Sequence, residues 1–137
     1  MLKIKNTEIE FILSVDSAEE NSAEFPYYST CFILSTTLLS KEINYSATWE
    51  VYNGEIEKFK SQLINLKDKK NNDKASLTLI NENSSITIEK ITTPYETYLF
   101  KFRLSSSTNL NVYIQGESIL DQSYISEIIT GVSDLLK

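Results

Sequence analysis

The side chains with chemistry to offer are nearly all carboxylates. Glu8 and Glu10 stand two apart at the head of an apolar alternation. Glu55 and Glu57 open a helical stretch. Asp16, Glu19, Glu20 and Glu24 crowd into the run DSAEENSAE without a cation. Acids at i and i+2 of a strand share a face. In a pocket, such a pair can divide into general acid and general base if its surroundings push the two pKa values apart. Glu8 and Glu10 lie opposite the apolar face of their strand, so the simpler reading is a solvated face. Glu55 and Glu57 fit the positive end of a helix. The chain has no His. That removes the commonest general base and every Ser-His-Asp or Cys-His arrangement. One Cys, Cys31, and three glycines make neither a His/Cys metal site nor a phosphate-cradling loop. The expectation is therefore no catalytic residue, no metal and no cofactor.

Two further groups remain. Tyr27, Tyr28, Trp49, Tyr95 and Tyr98 have the surface for a ligand pocket, but a hydrophobic core needs most of them. The acidic run is the one feature that core building does not require. It reads either as an ordinary solvated loop or as an electrostatic docking site. In the second reading Asp16, Glu19, Glu20 and Glu24 attract a basic partner, and Phe25, Tyr27 and Tyr28 beside them supply the desolvated anchors that tight binding needs.

The whole-chain balance points the same way. The 137 residues carry a net charge of −6, and Arg103 is the only basic residue that is not a lysine. Nucleic-acid binding needs a basic surface to neutralise phosphates, so no nucleic-acid partner is expected. No apolar run approaches the ~20 residues of a membrane helix, so no membrane association is expected either. A lone Cys forms no internal disulfide and suits a reducing compartment, which makes the cytoplasm the expected location. The length suits one domain, 1–137, and the expected state is a monomer or weak dimer.

The elements that must position these groups follow from periodicity. Ile43, Tyr45, Ala47, Trp49 and Val51 alternate with Glu42, Asn44, Ser46, Thr48 and Glu50, the pattern of a half-buried strand. After Asn53-Gly54 the period changes, and Ile56, Phe59, Leu63 and Leu66 make one helical stripe. Before this lie a strand around Ile9–Val15, which Leu2 and Ile4 extend or pair with, and a long run from Tyr27 to Leu39. After it come strands around Leu77–Leu79, Ile86–Thr92, Tyr98–Leu104 and Leu110–Ile114. A last helix follows, with Asp121 as its expected N-cap and a stripe of Ile125, Ile128, Ile129, Val132, Leu135 and Leu136. Gly131 inside that helix costs about 1 kcal/mol relative to Ala, which points to close packing there. The order βββαββββα predicts an α+β fold: a single antiparallel sheet of about six to seven strands with two helices packed on one face.

From Tyr45-Ser46-Ala47 onward the chain resembles the small WapI-type immunity proteins of bacterial polymorphic toxin systems. The resemblance runs through Glu57, Phe59, Leu63 and Leu66, through the Leu77-x-Leu79 and Ile86-x-Ile88 strands, and into Asp121-Gln122-Ser123-Tyr124-Ile125 followed by Ile128-Ile129. It covers about two-thirds of the chain and consists of core and cap residues. Residues 1–42 depart from it: Tyr27-Tyr28-Ser29-Thr30 stands where that family often has a Trp-rich segment. The resemblance implies a protein that binds and neutralises a cognate toxin domain, often a nuclease, by protein–protein contact. The alternatives are a secretion chaperone or other small acidic binding module and, behind these, a carboxylate-dependent enzyme.

Overall fold

The computed structural model describes residues 1–15, 29–38, 43–68, 74–78, 84–91, 96–105 and 112–136. Its elements run β1 (Leu2–Lys5), β2 (Ile9–Val15), β3 (Ser29–Leu38), β4 (Ile43–Tyr52), α1 (Asn53–Asp68), β5 (Lys74–Thr78), β6 (Ser85–Ile91), β7 (Thr97–Ser105), β8 (Tyr113–Asp121) and α2 (Tyr124–Leu135). The α+β class is as expected, but the single sheet is not. There are two antiparallel sheets of four strands, β1-β2-β3-β4 and β5-β6-β7-β8. Leu2 and Ile4 form a strand of their own, paired with Leu13 and Phe11 of β2, so the order is ββββαββββα.

The two sheets lie face to face. Phe11 of β2 meets Phe100 of β7 edge-on, ring centroids 5.3 Å apart, and the Tyr45 hydroxyl of β4 donates to the Ser105 carbonyl of β7 at 2.8 Å. One core runs through both sheets and both helices. Alternation along each strand sorts the residues, as period-2 geometry requires. Ile9, Phe11 and Leu13 of β2 are buried, as are Ile86 and Ile88 of β6 and Tyr98, Phe100, Phe102 and Leu104 of β7. Each such side chain contributes roughly 1.5–3 kcal/mol by leaving water. Trp49 and Val51 continue the pattern in β4. Among the described residues the Trp49 indole N–H has no acceptor. That costs about 1–3 kcal/mol, which burial of so large a ring offsets.

The helices do not share one sheet face. α1 packs on β5, α2 packs on β1, and the two helices touch each other. α1 buries its stripe of Ile56, Phe59, Leu63 and Leu66 as expected, and its Gln62 side chain accepts the Ser76 N–H of β5 at 3.0 Å. At its C-terminal end the buried Lys90 ammonium donates to the Leu66 carbonyl at 2.8 Å and pairs with Glu96 at 3.1 Å. A cation at the negative end of a helix is favourable. In α2, Ile125, Ile128, Val132 and Leu135 are buried, while Ile129 and Leu136 are only partly so. Gly131 explains the close approach: a Cβ there would lie 3.0 Å from the Leu2 Cα and 3.1 Å from the Met1 carbonyl oxygen. Glycine lets the helix backbone lie directly against β1.

Two boundary expectations are corrected. The last strand is Tyr113–Asp121 and extends well past Ile114. The N-cap of α2 is Ser123, not Asp121. The Asp121 carboxylate still orders the turn, accepting the Ser123 N–H at 2.8 Å and the Ser123 hydroxyl. Those bonds, the hydroxyl first, hold its pKa below the ordinary carboxylate value.

Candidate protein-binding surface

Asp16, Glu19, Glu20, Glu24, Phe25, Tyr27 and Tyr28 all lie outside the described residues. What is described is the frame from which that segment leaves and to which it returns. β2 ends at Val15, opposite Phe32 of β3. β3 begins at Ser29, opposite Tyr52 of β4. Val15 and Tyr52 are exposed apolar residues at that end of the N-terminal sheet, 41% and 38% accessible, and α1 starts one residue beyond Tyr52.

The carboxylates of the first strand fall differently from expectation. Glu8 does not share a strand face with Glu10. It lies in the turn before β2, exposed, where its carboxylate accepts the Ser118 hydroxyl at 3.1 Å. Glu10, on the outer face, pairs with Lys5 at 3.4 Å and Lys3 at 3.8 Å. The two acids therefore have separate partners on different elements. Asn6 builds this corner, a role the residue pattern does not single out. Its side-chain oxygen accepts the Glu8 N–H at 2.8 Å and the Ile9 N–H at 3.0 Å, and its amide donates to Ser118 at 2.6 Å. An Asn between two short apolar alternations is a turn signal, and that is the one clue the residues offer.

Of the five aromatic pocket candidates, Trp49 and Tyr98 are core residues, each 1% accessible, and Tyr27, Tyr28 and Tyr95 lie outside the described residues. Burial pushes the Tyr98 phenol up to about 12, helped by the negative charge of Glu96 and by the hydrogen bond to it. Such a group stays protonated at neutral pH. Glu55 lies in the first turn of α1, as the helix-dipole reading requires, whereas Glu57 lies just beyond that turn. Among the described residues no group of three His, Cys, Asp or Glu is arranged to hold a metal ion, and no helix is long and apolar enough to cross a membrane.

Among the described residues, charged and polar side chains stand on the outer faces of both sheets. The outer face of the N-terminal sheet carries Lys5, Glu10, Thr37 and Asn44 in one row across all four strands, with the Thr37 hydroxyl donating to Asn44 at 2.8 Å. The outer face of the C-terminal sheet carries Arg103 stacked 4.2 Å over the Tyr113 ring and Lys101 paired with Glu89 at 3.2 Å. No family model, no curated protein and no solved structure matches this chain.

Proposed function

We propose that this chain is an immunity protein that binds a cognate bacterial toxin domain, a basic nuclease, in the cytoplasm and neutralises it by protein–protein contact. The observation that carries the reading is the run of four carboxylates without a cation between Asp16 and Glu24. It joins two strand ends flanked by the exposed Val15 and Tyr52. The resemblance from Tyr45 onward supports it. A nuclease grips phosphate with a basic surface, and clustered carboxylates can occupy that surface in place of phosphate. Attraction of this kind mainly speeds association, and salt weakens it, because screening shortens its reach to ~8 Å at physiological ionic strength. Aromatic anchors at Phe25, Tyr27 and Tyr28 would then hold the complex.

The test needs a purified candidate toxin domain and association rates at two salt concentrations. Changing Glu19, Glu20 and Glu24 to Lys should slow association and flatten its salt dependence, with folding unchanged. Tyr27→Ala or Tyr28→Ala should raise the off-rate. An unchanged rate and salt slope in the triple reversal would remove the acidic run from the interface.

A further inference from the structure

We propose that a second copy of this chain adds to the open edge of the C-terminal sheet through Tyr113–Glu117 of β8, antiparallel and two-fold about Gln115. The other end of that sheet, β5, carries α1; of the two edge strands of the N-terminal sheet, β1 carries α2 and β4 runs directly into α1, which touches it. Among the described residues β8 pairs with β7 on one side and with no strand on the other. An unpaired edge presents alternate N–H and C=O groups and templates pairing with another strand.

Toward the C-terminal end of this edge, Asn6 of the β1–β2 turn reaches the Ile119 carbonyl at 3.5 Å, which engages one backbone acceptor there. From Tyr113 to Glu117 every second residue, Tyr113, Gln115 and Glu117, is exposed. Those three suit a copy of themselves. Pairing about Gln115 sets the two Gln115 amides opposite each other, where each can donate and accept. It also sets Tyr113 opposite Glu117 of the second copy, a phenol donor against a carboxylate. Arg103 is stacked on Tyr113 at 4.2 Å, so its guanidinium comes beside that same Glu117.

Neighbouring registers are worse. Centring on Glu117 puts like charges directly opposite, which destabilises a strand pair. Centring on Gly116 draws Ile119, whose carbonyl Asn6 already reaches, into the ladder. A five-residue ladder falls well short of the ~1,200 Å² of a stable interface, so the dimer is weak, with a Kd on the order of 0.1 mM.

Sedimentation velocity over a concentration series up to about 1 mM reads the dimer directly, since a Kd near 0.1 mM fills the dimer in that range. Glu117→Lys, which brings a lysine against Tyr113 and Arg103 of the other copy, should weaken it by about tenfold or more. Gln115→Cys should cross-link on mild oxidation, because paired residues of adjacent strands lie within disulfide reach. Ile119→Cys, and the wild type with only Cys31, should not. Native Trp49 fluorescence checks that each variant is folded. A protein that stays monomeric at the top concentration overturns the proposal. So does cross-linking through Ile119→Cys in preference to Gln115→Cys, or a dimer indifferent to Glu117→Lys.

Discussion

Two glycines of this chain should respond to the same substitution with opposite signs. Gly131 and Gly54 both lie inside helices, and Ala is favoured over Gly in a helix by about 1 kcal/mol. At Gly54 a new methyl meets nothing within 4 Å, so Gly54→Ala should stabilise, by somewhat less than that because the position is in the first turn. At Gly131 the methyl would stand 3.0 Å from the Leu2 Cα, 3.1 Å from a Leu2 side-chain carbon and 3.1 Å from the Met1 carbonyl oxygen. Two of these are backbone atoms and cannot rotate away. Overpacking of this kind costs about 1–3 kcal/mol. Set against the helix gain, Gly131→Ala should destabilise by roughly 1 kcal/mol, or a few degrees in Tm. Gly131→Val should cost more. Urea unfolding followed by the emission of the single, buried Trp49 measures all three variants on one scale. If Gly131→Ala is as stabilising as Gly54→Ala, α2 does not lie against β1 as described, and the packing argument is wrong.

Alkaline pH and one buried lysine supply two further tests. The native Tyr98 phenol keeps its proton up to about 12, whereas the unfolded chain releases it near 10. The stability this confers is intact below pH 10 and is lost as pH rises from 10 to 12. The total is about 3 kcal/mol at most. Tyr98→Phe should flatten that part of the stability–pH curve, and an equal slope in wild type and variant would refute the assignment. Lys90→Met removes the donor on the Leu66 carbonyl and should cost about 1–3 kcal/mol. Hydrogen exchange should quicken in the last turn of α1 before the rest of the core. Unchanged protection there would show that the contact does not hold the helix end.

The periods along the chain decide what each segment becomes. A strand or helix with one buried face repeats every 2 or 3.6 residues whatever it packs against. Trp49 and Val51 in β4 and the Ile56–Leu66 stripe in α1 are therefore legible in the residue pattern alone. So is the close packing at Gly131, because a glycine inside a strong apolar stripe wants a reason. β8 reads short in the sequence because only Ser118 and Leu120 of its nine residues are buried, and Gly116 breaks what alternation there is. An edge strand is specified largely by its neighbour, here β7 through the pairs from Thr97↔Asp121 to Ser105↔Tyr113. The turn at Asn6 combines local bonds to Glu8 and Ile9 with one to Ser118 that the fold brings up from the far end of the chain, while local bonds from Ser123 to Asp121 order the turn before α2.

What only the tertiary structure decided is how the buried faces meet. Alternation says that a strand has an inside but not what covers it. A helix layer and a second sheet ask for the same apolar residues. The choice between one sheet with helices over it and two sheets face to face lies in long-range pairs such as Phe11 with Phe100 and Tyr45 with Ser105. The same holds for the carboxylates. Glu8 and Glu10 are two apart in the chain, yet their partners, Ser118 and the lysines of β1, lie on different elements. Spacing along a strand sets the face a side chain can take, and the fold of the rest of the chain sets what it finds there.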